Sequence, residues 1–286
     1  MADGTSQFEI DRAALTFLVE AGLDVIVGEE PVDRLSPVNQ SPMQEPERPS
    51  VAAASPPSQG QPAERFATRA SMPAAGSDGP GSEREAAMTA RDLAATCDSL
   101  EALRAALEGF HGLSIRETAT QLVFADGNPA ADVMIIGEAP GRDEDRLGRP
   151  FVGESGKLLD RMLAAIGLDR DTVYITNTVL WRPPGNRKPT PAEVMAMLPF
   201  LVRHIELVRP RLIMLAGGSA LSALFDFDAR ITRERGRWRD YPASFGPVPV
   251  LPLFHPAYLL RQPSLKRQAW SDLLSFRERL DAIRAD

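Results

Sequence analysis

Four short apolar runs constrain the fold of this chain most strongly, because a pattern typical of an α-helix follows each of them. The runs lie at residues 132–137, 173–177, 211–217 and 248–254. Apolar strands that alternate with helices predict an α/β fold, in which a parallel sheet is covered by helices on both faces. In such folds, ligands bind beyond the carboxyl ends of the strands.

The N-terminal part of the chain has a different composition. Residues 8–27 place apolar side chains at helical spacing, which predicts an amphipathic helix within an N-terminal segment at 1–35. Residues 36–86 contain nine prolines and almost no large apolar side chain. Such a composition cannot offset the entropy of ordering, so we predict a disordered linker over 36–87. A folded domain is predicted over 88–286.

The net charge of −7 is concentrated near the N-terminus, where residues 1–86 carry 14 acidic and 6 basic side chains. From residue 229 onward the balance reverses to 11 basic and 6 acidic, a modest basic region for a nucleic-acid partner. The single cysteine, Cys97, excludes an intramolecular disulfide and a metal site made only of cysteines. We find neither a membrane-length apolar run nor a signal-peptide pattern, so we expect a cytoplasmic protein without membrane contact.

Three of the predicted strands end in residues that can carry chemistry. The first ends at Gly137 and Glu138, the second at Asn177 and the fourth at His255. Because the carboxyl ends of parallel strands share one edge of the sheet, these side chains are expected to meet in one crevice, with Phe151 on a loop beside them. Asp143, Glu144 and Asp145 are expected on a solvated face, with Glu144 as the one that assists Glu138.

Three ordered segments resemble the signature regions of the iron–sulfur (family 4) uracil-DNA glycosylases. They are "GEAPGRDEDRLGRPFVGESGKLLDRML", "VYITNTVLWRPPGNRKPTPAE" and "FHPAYLLRQPSLKRQAW". The resemblance covers roughly residues 109–276. It implies a three-layer α/β/α fold with a four-stranded parallel sheet, located in the 88–286 domain. It also implies hydrolysis of the N-glycosidic bond of deoxyuridine in DNA, on a nucleotide flipped out of the stack.

The resemblance assigns roles to individual residues. Phe151 resembles the aromatic that stacks on uracil, and Asn177 the amide that reads the edge of the base. His255 resembles the histidine that donates to O2 as negative charge develops, and Glu138 the functional glutamate. These side-chain types suit the chemistry, because a poor leaving group needs a hydrogen-bond donor and the sugar needs a carboxylate.

Further residues are expected to bind substrate or DNA. Gly137, Gly153 and Ser155 complete the substrate-binding set, with free backbone N–H groups near residue 153 available to a phosphate. Phosphate contacts are expected from a proline-stiffened loop. An apolar wedge beside a cation is expected after His255. The loop residues are Arg182, Arg187 and Lys188, and the wedge residues are Tyr258, Leu259, Leu260 and Arg261.

The chain departs from its family at the metal site. The family holds a four-iron cluster on four cysteines, whose aligned positions here are Phe110, Leu113, Trp181 and Met197. A cluster requires its thiolates, so we expect no cluster and no other metal. The four apolar replacements are expected to form a hydrophobic plug that holds the loops together.

Other functions remain open at this point. A DNA-binding module could keep the fold and recognise uracil or single strands without turnover, although Glu138, Asn177 and His255 together favour an enzyme. A covalent uracil trap, as in a related branch with a histidine after the second strand, is disfavoured because residues 182–191 contain no histidine. We expect a monomer whose N-terminal helix binds a protein partner.

Overall fold

The computed structural model describes residues 12–16, 19, 80–225 and 229–285. Residues 12–16 and 19 are helical, and the rest of the predicted N-terminal helix lies outside the described residues. Residues 36–79 of the predicted linker also lie outside them. No helix in the part of the chain that the structure describes is long and apolar enough to span a bilayer.

Helices and strands alternate along most of the described chain. The strands are β1 (Asp126–Gly127), β2 (Val133–Gly137), β3 (Val173–Asn177), β4 (Leu212–Ala216), β5 (Arg239–Ala243) and β6 (Gly246–Leu253). The helices are α1 (Pro80–Thr96), α2 (Leu100–Gly109), α3 (Ile115–Thr118), α4 (Arg142–Leu147), α5 (Glu154–Ala164), α6 (Pro191–Val208), α7 (Gly218–Leu224), α8 (Ile231–Glu234), α9 (Pro256–Arg261) and α10 (Lys266–Ala285). Single 3₁₀ turns occur at Pro184–Asn186 and Pro263–Leu265.

The sheet has the strand order β1-β3-β2-β4-β6-β5. The four inner strands are parallel and correspond to the four predicted runs. The two edge strands pair antiparallel to their neighbours, so the sheet has six strands in the described residues instead of the four predicted. The two edge strands cannot be recognised from the sequence, because β1 has only two residues and β5 is polar and contains Pro242.

Alternate side chains of β2 pack into opposite helical layers. Val133 and Ile135 lie in an apolar cluster with residues of α5 and α10. Met134 and Ile136 lie in another cluster, with residues of α6 and α7. This alternation confirms the predicted three-layer α/β/α architecture, because a strand covered on both faces buries every side chain.

Helix α1 begins at Pro80, before the predicted start of the folded domain at residue 88. Its buried residues Ala86, Ala90 and Ala94 are four apart and pack in one cluster with α6. The predicted linker boundary therefore falls inside a helix. Alanine carries little hydrophobic signal, and for this reason the sequence gives no sign of a buried face here.

Helix α6 begins with Thr190 as its cap and Pro191 in its first turn. The Thr190 hydroxyl accepts from the Glu193 N–H at 3.2 Å, and Glu193 accepts from the Thr190 N–H at 2.7 Å. The helix continues without interruption through Pro199. A proline removes one backbone hydrogen bond, and the packing of α6 against the sheet and α1 retains the helix.

His204 of α6 is a buried histidine that makes the fold sensitive to acid. Its Nε2 atom lies 2.7 Å from the Tyr174 hydroxyl, and its ring stacks on Phe124. Burial, reinforced by the nearby Arg104 guanidinium, lowers the pKa of His204 from 6.5 to about 3. Between these two pKa values, His204 is protonated in the unfolded chain and neutral in the folded chain. The free energy of unfolding therefore decreases as pH falls from 6.5 towards 3.

We expect His204 alone to reduce the free energy of unfolding by about 2 kcal/mol between pH 7 and pH 5. His204→Gln keeps an amide beside the Tyr174 hydroxyl and should lose this part of the pH dependence, even if its stability at pH 7 is lower. His111→Gln, which changes an exposed histidine, is the matched control. The measurement is the free energy of unfolding from urea titrations at several pH values. The prediction is contradicted if this free energy changes with pH as steeply in His204→Gln as in the parent protein.

Candidate active site

The carboxyl ends of the four parallel strands form one edge of the sheet and open into a pocket of about 820 Å³. Asn177 ends β3, Glu138 follows β2 and His255 follows β6. Ser219, in the first turn of α7, comes from the end of β4. All four side chains line the pocket together with Phe151, so the structure brings together the acid, the amide, the imidazole and the aromatic that the sequence singles out.

Gly137 allows the strand end to carry two functional side chains at close range. It pairs with Asn177 across β2 and β3. A Cβ atom at position 137 would overlap Asn177 Oδ1 and would lie 2.6 Å from Phe151 Cζ. Gly137 therefore shapes the site by the absence of a side chain. The residue itself is buried and does not line the pocket.

Phe151 has a backbone conformation that side chains rarely adopt, with φ at 54°. Its ring is buried and lies nearly parallel to the His255 ring, with centroids 5.5 Å apart. A Cβ atom at Gly156 would overlap the Phe151 carbonyl oxygen. A left-handed conformation at an aromatic residue costs about 1–3 kcal/mol and persists only where surrounding contacts impose it.

Arg170 supplies those contacts. Its guanidinium donates to the Phe151 carbonyl and, at 3.2 Å, to the Pro150 carbonyl. Asp126 accepts from the same guanidinium at 2.6 Å, and Asp160 accepts at 2.9 Å. Arg149 also pairs with Asp126, but its side chain is 56% exposed, and within the described residues no hydrogen bond joins it to Phe151. Arg170 is thus the cation that fixes the aromatic loop.

We expect Arg170→Lys to lower the free energy of unfolding by about 2–3 kcal/mol, because lysine cannot bond two carbonyls and two carboxylates in this geometry. Arg149→Lys is the matched control and should change stability by about 0.5 kcal/mol or less, as for an exposed ion pair. Equal losses in the two variants, measured by urea unfolding, would show that the bond to Phe151 contributes nothing.

Glu144 holds the loop that carries Phe151. Its Oε1 atom accepts from the N–H groups of Val152 and Gly153 at 3.0 and 2.9 Å, and its Oε2 atom accepts from Gly141 at 3.1 Å. Glu144 lines the pocket but is buried, and these contacts indicate loop positioning in place of the predicted assistance to Glu138. They also occupy the Gly153 N–H, so it is not free for the predicted phosphate contact. Ser155 lines the pocket.

The solvated face predicted for residues 143–145 is therefore wrong for two of the three carboxylates. Asp145 is buried and accepts from the backbone N–H and the hydroxyl of Thr120 at 2.8 and 2.9 Å. Asp143 alone reaches solvent, 4.0 Å from Arg146. The acids of this segment fix the chain around the pocket, because buried carboxylates are retained where backbone donors satisfy them.

His255 is the N-cap of α9 and is set up as a neutral donor. Its Nδ1 atom accepts from the Ala257 N–H at 3.1 Å, so in the neutral ring the proton lies on Nε2. Burial lowers the pKa of His255 below the ordinary value of 6.5, and Arg261 acts in the same direction. Glu138 and Glu144 oppose this shift without reversing it. The imidazole is therefore neutral at physiological pH.

Ser219 is a pocket residue that the sequence analysis does not find. Its hydroxyl donates to Glu138 Oε2 at 2.6 Å. The available signal is its place, since Gly217, Gly218 and Ser219 directly follow the one parallel strand to which the sequence analysis assigns no functional residue. Strand ends in such sheets face the ligand crevice whether or not the residue there is chemically conspicuous.

The predicted phosphate-binding loop is only partly available to a ligand. Arg187 makes a bidentate ion pair with Glu193 at 2.6 and 2.8 Å, which anchors the loop to the start of α6. Arg182 donates to Asn186 at 2.6 Å and does not line the pocket. Lys188 is exposed and lines the pocket, so it is the cation of this loop best placed to meet a phosphate.

The predicted wedge after His255 divides into core and surface. Leu259 is fully buried, so its predicted contact with DNA is wrong, because the residue packs in the core beneath α9. Leu260 is 40% exposed. Tyr258 and Arg261 line the pocket. Consecutive side chains of a short helix point in different directions, and the pattern "YLLR" does not reveal which leucine faces inward.

The residues aligned with the cluster cysteines lie in one apolar cluster. Phe110, Trp181 and Met197 are buried there, and Leu113 packs against them partly buried. Cys97 belongs to the same cluster and is the single cysteine of the chain. Among the described residues, no group of three or more histidine, cysteine or acidic side chains could hold a metal ion. This donor set does not fit an iron–sulfur cluster, which needs thiolates.

The fold and the pocket define the class of the chain as an α/β/α protein whose polar strand ends converge on one crevice. The model of the uracil DNA glycosylase superfamily matches residues 124–274, and the chain belongs to this superfamily. It is 44% identical to a Type-4 uracil-DNA glycosylase of Archaeoglobus fulgidus over 162 residues, which are 55% of this chain and 81% of that protein.

Two further relatives carry the same description. A Type-4 uracil-DNA glycosylase of Thermotoga maritima is 43% identical over 157 residues, which are 54% of this chain and 80% of that protein. One of Sulfurisphaera tokodaii is 37% identical over 186 residues, which are 63% of this chain and 84% of that protein. Residues 124–274, which the superfamily model matches, include the strand ends that line the pocket.

Proposed function

We propose that this protein is a DNA repair glycosylase that hydrolyses the N-glycosidic bond of deoxyuridine in DNA, releasing uracil and leaving an abasic site. The observation that carries the proposal is the convergence of Glu138, Asn177 and His255 from neighbouring strand ends in one pocket beside Phe151. The Type-4 uracil-DNA glycosylases among its relatives support the same substrate. A pocket of about 820 Å³ can hold a flipped nucleotide.

In this proposal each side chain has one task. Asn177 accepts from N3–H and donates to O4, a combination that uracil satisfies and cytosine does not. His255 donates from Nε2 to O2 as negative charge develops on the leaving base. Glu138 orients the attacking water or stabilises positive charge on the sugar. Phe151 gives the base an aromatic surface, with stacking of about 1–3 kcal/mol.

DNA is held in this proposal mainly by the exposed cations at the pocket. Lys188, in the loop after β3, and Arg261, at the end of α9, both line the pocket, and no ion pair joins either to another described residue. Leu260 of α9 is 40% exposed, and an apolar side chain in this position can fill the space of the extruded base. We extend the proposal to a cytoplasmic monomer whose N-terminal segment binds a protein partner.

The proposal includes the absence of the family's iron–sulfur cluster. Support comes from the apolar side chains at positions 110, 113, 181 and 197, which pack together where thiolates would be needed. Protein purified without oxygen is therefore expected to be colourless and to contain no stoichiometric iron. Iron analysis by mass spectrometry tests this, and four iron atoms per chain would contradict it.

Activity is tested with an end-labelled oligonucleotide that contains one deoxyuridine. After incubation with the protein, alkali should cleave the strand at the uracil position and leave a matched thymine strand intact. Binding without alkali-sensitive product would favour a non-catalytic uracil-binding module. A protein–DNA adduct that survives denaturation would indicate a covalent trap.

A further inference from the structure

We infer that Ser219 is a positioning residue that sets the orientation of the Glu138 carboxylate, an inference that rests on the proposed function. The Ser219 hydroxyl donates to Glu138 Oε2 at 2.6 Å. This distance is typical of a hydroxyl bound to an ionised carboxylate, about 2.5–2.7 Å. Both side chains line the pocket and belong to segments that follow adjacent parallel strands.

The backbone around Ser219 is fixed by the sheet. Strand β4 lies between β2 and β6, so the residues after it are placed between Glu138 and His255. Gly217 makes the turn into α7 with φ at 99°, a conformation available to glycine at little cost. A Cβ atom at Gly217 would lie 3.0 Å from His255 Cβ, so the turn also packs tightly against the other catalytic strand end. The hydroxyl is therefore presented from a rigid element.

The hydrogen bond makes the two oxygens of Glu138 inequivalent. A serine hydroxyl has a single proton to donate, so it occupies one carboxylate oxygen. Within residues 80–225 and 229–285, no other side chain or N–H group bonds the Glu138 carboxylate. The second oxygen, Oε1, is left for a water or for the sugar. A general base must lie within about 2.6–3.2 Å of the proton it takes, so a carboxylate free to rotate would meet this condition less often.

The test uses single-turnover excision of uracil from duplex DNA by the full chain. Ser219→Ala is expected to react roughly 10- to 100-fold more slowly, the range for losing a hydrogen bond to a charged group, with unchanged DNA affinity. Ser219→Thr keeps the hydroxyl and should recover most of the rate. Ser219→Val has the shape of threonine without the hydroxyl, so the Thr and Val pair decides the question even if Ser219→Ala folds poorly.

Two further comparisons separate positioning from a general structural effect. Ser244 also donates its hydroxyl to a glutamate, Glu206, outside the pocket, and Ser244→Ala should excise uracil at the parent rate. On a Glu138→Ala background, Ser219→Ala should cause no further loss, because Ser219 acts through Glu138. A parent rate in Ser219→Val, or losses that multiply in the double variant, would overturn the inference and leave the proposed function intact. A parent protein that does not excise uracil would overturn both.

Discussion

Replacement of His255 by alanine is expected to slow uracil excision by about 10²–10³-fold, the usual loss when one donor to a developing oxyanion is removed. The geometry behind this expectation is the bond from the Ala257 N–H to Nδ1, which directs the protonated Nε2 away from the backbone. Affinity for uracil-containing DNA should change little, because the contact strengthens only as charge develops on O2. Single-turnover rates and separate binding measurements would distinguish the two effects.

The alanine variant also removes the cap of α9, so a control is needed. His255→Ser restores an oxygen that can accept from the Ala257 N–H but is too short to donate into the pocket. We expect His255→Ser to excise uracil as slowly as His255→Ala. Its free energy of unfolding should be closer to that of the parent protein. If His255→Ser excised uracil at the parent rate, the histidine would act only as a helix cap.

The pH dependence follows from the same imidazole. Because burial lowers the pKa of His255 below its ordinary value of 6.5, the neutral imidazole, with its proton on Nε2, is the predominant form at pH 6.5 and above. The excision rate should therefore show no His255-dependent rise between pH 7.5 and 6.5. An excision rate that rose as pH was lowered, with a midpoint near pH 6.5, would instead identify the imidazolium as the donor if this rise were absent in His255→Ser.

The sequence predicts the central sheet and the convergence of the strand-end side chains well, because both depend on local patterns. Apolar runs identify all four parallel strands, and parallel strands in one sheet must end at the same edge. The positions of Glu138, Asn177 and His255 follow from that geometry alone. The edge strands are not predictable in the same way, since two residues at β1 and a polar β5 carry almost no hydrophobic periodicity.

The tasks of charged side chains are harder to predict, because they depend on partners distant in sequence. The sequence predicts that Glu144 and Asp145 lie on a solvated face. Both are instead buried, and they accept hydrogen bonds from residues outside their own helix. Arg187 reads as a phosphate ligand, yet it is paired with Glu193. Ser219 gives no sequence signal beyond its place after β4. Each of these outcomes is decided by three-dimensional packing, which determines whether a charge meets water, a ligand or the backbone.

Asn177→Asp is expected to produce the other large effect, a decrease in the uracil excision rate of at least about 10²-fold. A buried charged group that is left unpaired or faces a repulsive contact costs roughly 3 kcal/mol or more. The change replaces the –NH₂ donor of the amide with a carboxylate oxygen and adds a negative charge. The carboxylate can still accept from uracil N3–H, but it repels O4 instead of donating to it. Asn177 is buried at the end of β3, so solvent screens this repulsion little.

The same substitution should reduce the preference for uracil over cytosine, since the discriminating contact is lost while Glu138 and His255 remain in place. The measurement is the ratio of single-turnover rates on matched duplexes that carry uracil or cytosine at one position. Asn128→Asp, which makes the same change in a turn outside the pocket, is the matched control and should keep the parent ratio. The pocket assignment is wrong if Asn177→Asp keeps that ratio and rate, because an amide that reads the base edge cannot be replaced by a carboxylate without consequence.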